Sequence, residues 1–280
     1  MERIFSYQDN EPALYLVPTP IGNIKDITLR SIDILKSVDC IFSEDTRVTK
    51  ILLKNYNIST KLISFHEYNE EKVKNDVLNL LKNNKSVAIV SDRGTPLIND
   101  PGYKCVKHII ASKQKVISLP GASAFLPALL VSGLEAQPFL FYGFLNSKDS
   151  KRKQELDELK QHKETMIFYE APHRLKDTLN IMLEIFGNRK ISISREITKV
   201  YEEVIRGNIK EIIDNLTEIK GEFVIVVEGN KEKLSFDNLS IIEHVNLYIK
   251  EGQNVMNAIK KTAKDRNLTK NEVYKEYHRR

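Results

Sequence analysis

The chain has 280 residues, 41% hydrophobic and 29% charged, with 43 basic against 38 acidic side chains and a net charge of +5. This composition excludes a disordered chain and leaves room for two ordinary domains or one large one. The basic excess permits a nucleic-acid partner without requiring one. Cys40 and Cys105 form no CxxC and have no histidine at ligand spacing. Neither a disulfide framework nor a metal site is expected, and a reducing cytoplasm is the expected compartment. No basic stretch followed by a continuous apolar run opens the sequence, so no secretion signal is expected. Residues 116–134 are uncharged over nearly the length of a spanning helix. Pro120-Gly121 breaks that run and Ser118, Ser123 and Ser132 dilute it, so it reads as strand, turn and short helix, with no membrane span.

In chain order, residues 14–17 predict a strand, and Ile24, Ile27, Ile32, Leu35 and Val38 predict an amphipathic helix. Residues 40–43 read as the next strand. Val73, Val77, Leu80 and Leu81 share a helical face before a buried strand at 87–90. Residues 116–119 are another strand, followed by a helix with Pro127 in its first turn, where proline is tolerated. Short apolar strands alternating with helices predict a mostly parallel sheet covered on both faces, in an N-terminal α/β domain over 1–133. A second α/β domain is expected over 137–229, with a mixed sheet. It starts at 139–145, and a polar, basic loop at 147–153 leads into a helix at 154–160. A helix carrying Leu175, Leu179, Met182, Leu183 and Phe186 follows, then strands at 191–194 and 223–228. A helical tail over 231–280 has a helix through Val255, Ile259 and Ala263, a turn at Arg266-Asn267, and a capping box at Thr269 and Glu272. Helix-turn-helix DNA binding and a plain helical hairpin both fit this tail.

Five segments join a strand to a turn: 14–23 (LYLVPTPIGN), 87–102 (VAIVSDRGTPLINDPG), 116–124 (VISLPGASA), 166–174 (MIFYEAPHR) and 191–199 (ISISREITK). In an open α/β sheet such breaks fall at the carboxyl ends of the strands, where ligands bind. No G-x-x-x-x-G-K-[ST] and no G-x-G-x-x-G follows the first strand, which weighs against a P-loop and a dinucleotide site. Asp92, just past a buried strand, can accept from a ligand hydroxyl or ammonium, or from its own turn. Glu44 and Asp45 with Arg47 suit proton acceptance or helix capping. Arg174, Arg195 and Lys199 suit phosphate binding or internal ion pairs. No order of residues supports covalent catalysis.

The succession TPIGN, SEDTR, FHEYNE at 65–70, SDRGTPLINDPG, PGAS, FYEAPHR and SREITKVYEE closely resembles the bacterial 16S ribosomal RNA cytidine 2′-O-methyltransferases of the tetrapyrrole (corrin/porphyrin) methylase superfamily. The resemblance runs from about residue 13 to 229. It implies two α/β domains with S-adenosylmethionine in the cleft between them, a homodimer, and methyl transfer to a cytidine ribose in the decoding region of the 30S subunit's 16S rRNA. By the same resemblance the cofactor contacts Thr19, Pro20, Asp92, Gly94, Thr95, Ser123 and Ala124, with Tyr169 and Ala171 from the second domain. Glu44, Asp45 and Glu170 are then candidate proton acceptors, and Arg47, Arg195 and Lys199 candidate anion partners. Basic residues at 148–153 and Lys260, Lys261, Lys264, Arg266, Arg279 and Arg280 can supply RNA-binding surface. Arg93 departs from the family, which carries a small residue before Gly-Thr-Pro. A methylase of a small macrocycle and a non-catalytic ribosome-assembly factor remain open alternatives.

Overall fold

The computed structural model describes Arg3, Phe5, Ser6 and residues 11–217, 219–231, 239–250 and 252–279. It divides into two compact units, Met1–Asn230 and Lys231–Arg280. The first contains two five-stranded sheets. Strands β1 (Ala13–Leu16), β2 (Cys40–Ser43), β3 (Lys61–Ser64), β4 (Val87–Val90) and β5 (Lys115–Ser118) form an all-parallel sheet in the order β3-β2-β4-β1-β5. Helices α1 (Leu29–Ser37), α2 (Thr46–Asn55), α3 (Glu70–Lys82), α4 (Tyr103–Ala111) and α5 (Phe125–Val131) follow the five strands in turn.

Side chains alternate across the pleat, and here both faces are apolar because both are covered. Leu14, Phe42, Val87 and Ile89 pack with Val73, Val77 and Leu81 of α3 and with Cys105 and Ile109 of α4. Ala13, Ile41, Ala88 and Val90 pack on the opposite face with Leu35 of α1 and Leu53 of α2. The predicted helix over 24–38 is split. A short 3₁₀ turn at Ile24–Asp26 is followed by Thr28, whose side chain accepts from the Ser31 amide and caps α1.

Strands β6 (Phe139–Phe144), β7 (Thr165–Glu170), β8 (Lys190–Arg195), β9 (Glu203–Asn208) and β10 (Phe223–Val227) form the second sheet in the order β6-β7-β10-β8-β9. Only β6 and β7 are parallel neighbours, so this sheet is mixed. Helices α6 (Asp149–Leu159), α7 (Leu175–Phe186) and α8 (Ile209–Asn215) accompany it. Met166, Phe168, Phe223, Ile225 and Val227 face a core containing Leu156, Leu179, Met182 and Ile212. On the opposite face Ile167, Val224 and Val226 bury Ala128 and Leu129 of α5. The last helix of the first sheet's half therefore forms part of the second sheet's core.

The expected loop at 147–153 is corrected, because α6 already begins at Asp149. Asn146 accepts from the Lys148 amide ahead of the helix, and Arg152 is 2% exposed and paired with Asp149. Lys153 pairs with Glu184, so two of the four cations at 148–153 are engaged in the fold, while Lys148 and Lys151 are exposed.

The second unit consists of α9 (Ile241–Lys250), α10 (Val255–Asp265) and α11 (Lys270–His278), packed around Val245, Tyr248, Ile259 and Val273. The Thr269–Glu272 capping box is present at α11. Arg266 donates to Nδ1 of His244, so it serves this core, whereas Lys260 and Lys264 are exposed. Arg280 lies outside the described residues. No helix among the described residues is long and apolar enough to cross a membrane.

A bulge in β6 fixes one part of the site. The register against β7 shifts between Phe141 and Gly143, and Gly143 has φ +84°. A Cβ there would lie 2.6 Å from Oδ1 of Asn99, in the loop after β4. Glycine is thus required twice, for its dihedral and for the seat it leaves Asn99. Gly143→Ala should cost about 1–3 kcal/mol in urea unfolding and displace the loop carrying Asp100.

Candidate active site

The carboxyl ends of the parallel strands are wired together by their turns. Thr19 and Gly94 exchange two backbone hydrogen bonds, of 2.9 and 3.0 Å, which zip the loop after β1 to the loop after β4. Thr19 Oγ1 donates to the Ser91 carbonyl, Ser91 Oγ to that of Gly94, and Thr95 Oγ1 to that of Ala122. Leu97 and Asn99 hold left-handed conformations at φ +70° and +64°, an unfavourable geometry that the packed loop enforces.

Two cavities open beside this wiring. The first, about 400 Å³, lies between the two sheets. Gly94, Thr95, Asp100, Ser123 and Ala124 line it from the first sheet, and Phe144, Tyr169, Ala171 and Glu222 from the second. Tyr169 stands edge-on to Phe141 and Phe144, with ring centroids at 5.1 and 5.5 Å, giving one aromatic wall. Burial pushes its phenol up, against the backbone at Phe125 and Ala124. The second cavity, about 360 Å³, is lined by Thr19, Pro20, Gly22, Asp92 and Lys199 and by residues of α2, and shares Arg93 with the first.

Expected residues divide by what their side chains already do. Asp45 caps α2 by accepting from the Arg47 amide at 2.9 Å, and the Arg47 guanidinium returns onto the same carboxylate at 2.7 Å. Those hydrogen bonds hold Asp45 down at about 2, so it is a weak base. Glu170 borders the first cavity but is 2% exposed. Its oxygens accept from the Ala171 amide and from Thr178, with Arg174 Nε at 3.2 Å. Arg195 donates to the Lys220 carbonyl at 2.8 Å and to Glu203 at 3.3 Å. Lys199 pairs with Glu196 and Glu222, each at 2.8 Å.

Arg93 also pairs with Glu222, which joins the first sheet's loop to the second sheet across the cleft. The Asn23 amide donates to Thr198 Oγ1 at 3.0 Å beside this contact. A Cβ on Gly22 would lie 2.5 Å from the Lys199 side chain, so glycine permits the close approach.

The spacing around Asp100 carries no functional signal, since Asp-Pro-Gly reads as a turn. Burial, then Glu44 and Asp92, push it from an ordinary 3.8 up to about 7. Glu44, just past β2, is pushed up by partial burial and then by Asp92. Asp92 in turn accepts from the Asp45 amide at 2.9 Å. Three carboxylates thus share one region, and two of them, Glu44 and Asp100, have a raised proton affinity, an arrangement suited to a cationic ligand or to proton acceptance.

The model of the tetrapyrrole (corrin/porphyrin) methylases matches residues 13–213. The chain belongs to this family. A Bacillus subtilis (strain 168) protein named ribosomal RNA small subunit methyltransferase I is 50% identical over 98% of this chain and 97% of its own. A Halalkalibacterium halodurans protein of the same name is 46% identical over 99% of this chain and 98% of its own. Among solved structures, cobalt precorrin-4 methyltransferase has a TM-score of 0.58 at 15% identity, covering 77% of this chain and 94% of its own. Uroporphyrin-III-C-methyltransferase from Thermus thermophilus gives 0.56 at 15%, with the same coverages. These two likenesses establish the fold.

The division between Asp45 and its neighbours is testable. Asp45→Ala should lower the thermal midpoint, and Asp45→Ser, which keeps a cap, should not. Both variants should retain methyl transfer, measured with labelled donor.

Proposed function

We propose that this chain transfers a methyl group from S-adenosylmethionine to the ribose 2′-oxygen of a cytidine in the decoding region of 16S ribosomal RNA. The observation that carries this reading is a cavity between the two sheets, lined by the strand-end turns, in a chain half identical, over its length, to a ribosomal RNA small subunit methyltransferase I. The nucleotide and the atom rest on the resemblance of the turn motifs. The substrate form is the 30S subunit and the compartment the cytoplasm. We also propose a homodimer, which would give the exposed Leu126, Leu130 and Val131 of α5 an apolar partner. The chain then works as three parts, residues 1–133, 137–229 and 231–280.

The first cavity suits the cofactor in size and in its donor set. S-adenosylmethionine, when bound, supplies an electrophilic sulfonium methyl. Gly94, Thr95, Ser123, Ala124 and Ala171 bring main chain to the adenosine, and Phe144 and Tyr169 offer aromatic surface. Glu44, Asp92 and Asp100 set up a negative field that favours a cation. Thr19, Pro20 and Asp92 face the second cavity, and we place them at the border with the acceptor.

Of the carboxylates, Asp100 is the best proton acceptor for the ribose hydroxyl, because Asp45 and Glu170 are held by structural hydrogen bonds. A base at about 7 is matched to neutral pH. Lys199 and Arg93 stand at the rim to meet phosphates, and exposed lysines such as Lys260 and Lys264 supply further long-range attraction.

Radiolabelled S-adenosylmethionine incubated with unmethylated 30S subunits should label a decoding-region cytidine, on the ribose. Label on a base, or on no RNA, would contradict the proposal. At sub-saturating S-adenosylmethionine, kcat/KM for the cofactor should rise with pH through about 7 as Asp100 ionises, and Asp100→Asn should lower kcat at least a hundredfold. The same variant should be more stable at pH 8. A folded-state value raised above the unfolded one means that stability is lost as pH rises through about 4 to 7, and asparagine removes that loss. After allowance for solvent screening the gain is ~1–2 kcal/mol, read by urea unfolding.

A further inference from the structure

The second cavity has a composition that the cofactor does not explain. One wall is apolar, made by Ile24 and by Val48, Ile51 and Leu52 on one side of α2. Val48 and Ile51 are 42% and 67% exposed, and an exposed apolar helix face beside a charged rim needs an occupant. The rim carries two cations, Arg93 and Lys199, held in place by Glu222. The same cavity is lined by one amide, Asn55, the last residue of α2. Its Nδ2 donates to the Ile51 carbonyl at 3.0 Å. That carbonyl can only accept, so the amide orientation is fixed and Oδ1 faces outward with no hydrogen-bond partner among the described residues.

We propose that this cavity receives the target nucleotide of the RNA, with its base against Ile24, Val48 and Ile51 and its exocyclic amine donating to Asn55 Oδ1. The assignment rests on the methyl-transfer reading above and deepens it by naming the receptor and the group that reads the base. A volume of about 360 Å³ lies in the small-ligand range and accommodates one extruded nucleoside. The apolar wall takes a flat base face, and the rim cations take the flanking phosphates. Arg93 borders both cavities, so a ribose at this junction lies next to the cofactor's cavity. An outward acceptor distinguishes cytosine, whose N4 donates, from uracil, whose O4 would meet Oδ1 lone pair to lone pair. The same mismatch sets the preference, since the bound uracil's O4 would displace water from Oδ1 and supply no donor in exchange.

The test uses the full-length protein, labelled S-adenosylmethionine, and reconstituted 30S subunits carrying either cytidine or uridine at the target. Wild type should prefer cytidine at least tenfold, and Asn55→Leu should reduce that preference below threefold. Ile51→Asp, at an exposed position that folding does not require, should lower kcat/KM for 30S at least tenfold. Both variants should bind S-adenosylmethionine within twofold of wild type by calorimetry, which also reports that they are folded. Loss of cofactor affinity in Ile51→Asp, or unchanged RNA kinetics in both variants of an active enzyme, would overturn the assignment and leave the proposed function standing. A wild type that labels no RNA would overturn the proposed function and this assignment together.

Discussion

Like charge brought together at the end of a parallel sheet is the constraint on which the site depends. Glu44 leaves β2, Asp92 leaves β4, and Asp100 returns on the strained loop beyond it, so strand order converts three distant positions into neighbours. Water is partly withdrawn from Asp100, and burial is the largest cause of its raised proton affinity. Such a cluster is unfavourable by like-charge repulsion and is relieved by a cation or by a proton. The fold tolerates it because the strands beneath are closed by main-chain bonds, notably the Thr19–Gly94 bridge, and by two apolar layers.

The second sheet supplies the opposing surface. Its period-two alternation sends Ile167, Val224 and Val226 toward α5 and Phe168, Phe223 and Ile225 toward α7. Sharing α5 sets Tyr169 against Ala124 and Phe125 at the start of that helix. By contrast, the ion pairs of Glu222 with Arg93 and Lys199 are exposed contacts, each of a kind worth about 0–1 kcal/mol. Their position between the two cavities suits them to guide phosphates more than to hold the sheets together.

Much of this was legible because buried strands in a covered parallel sheet read as continuous apolar runs, and β2 and β4 match their expected bounds. Edge elements were harder. In β3 the burial pattern is half exposed, with Lys61 and Ser64 outward, so no apolar run marks it. The onset of α6 was hidden because a run of lysine, serine and aspartate is equally a loop, and only burial of Arg152 commits it. The turn motifs announced a cleft, and the placement of Gly94, Thr95, Ser123, Ala124, Tyr169 and Ala171 around one cavity follows their strand ends. The division of labour among carboxylates was not legible. Asp45 meets Asp92 across 47 positions, and Arg93 meets Glu222 across 129, so their roles depend on partners that local pattern does not register.

If the acidic cluster exists to receive a sulfonium, cofactor binding must be linked to proton release. Calorimetric titration of the wild-type protein near pH 6.5, in two buffers of different ionisation enthalpy, measures that directly. The account predicts that S-adenosylmethionine releases a substantial fraction of a proton, and that the uncharged-sulfur product S-adenosylhomocysteine releases clearly less. Equal heats in both buffers for both ligands would contradict it, because Asp100 would then titrate independently of the bound cation.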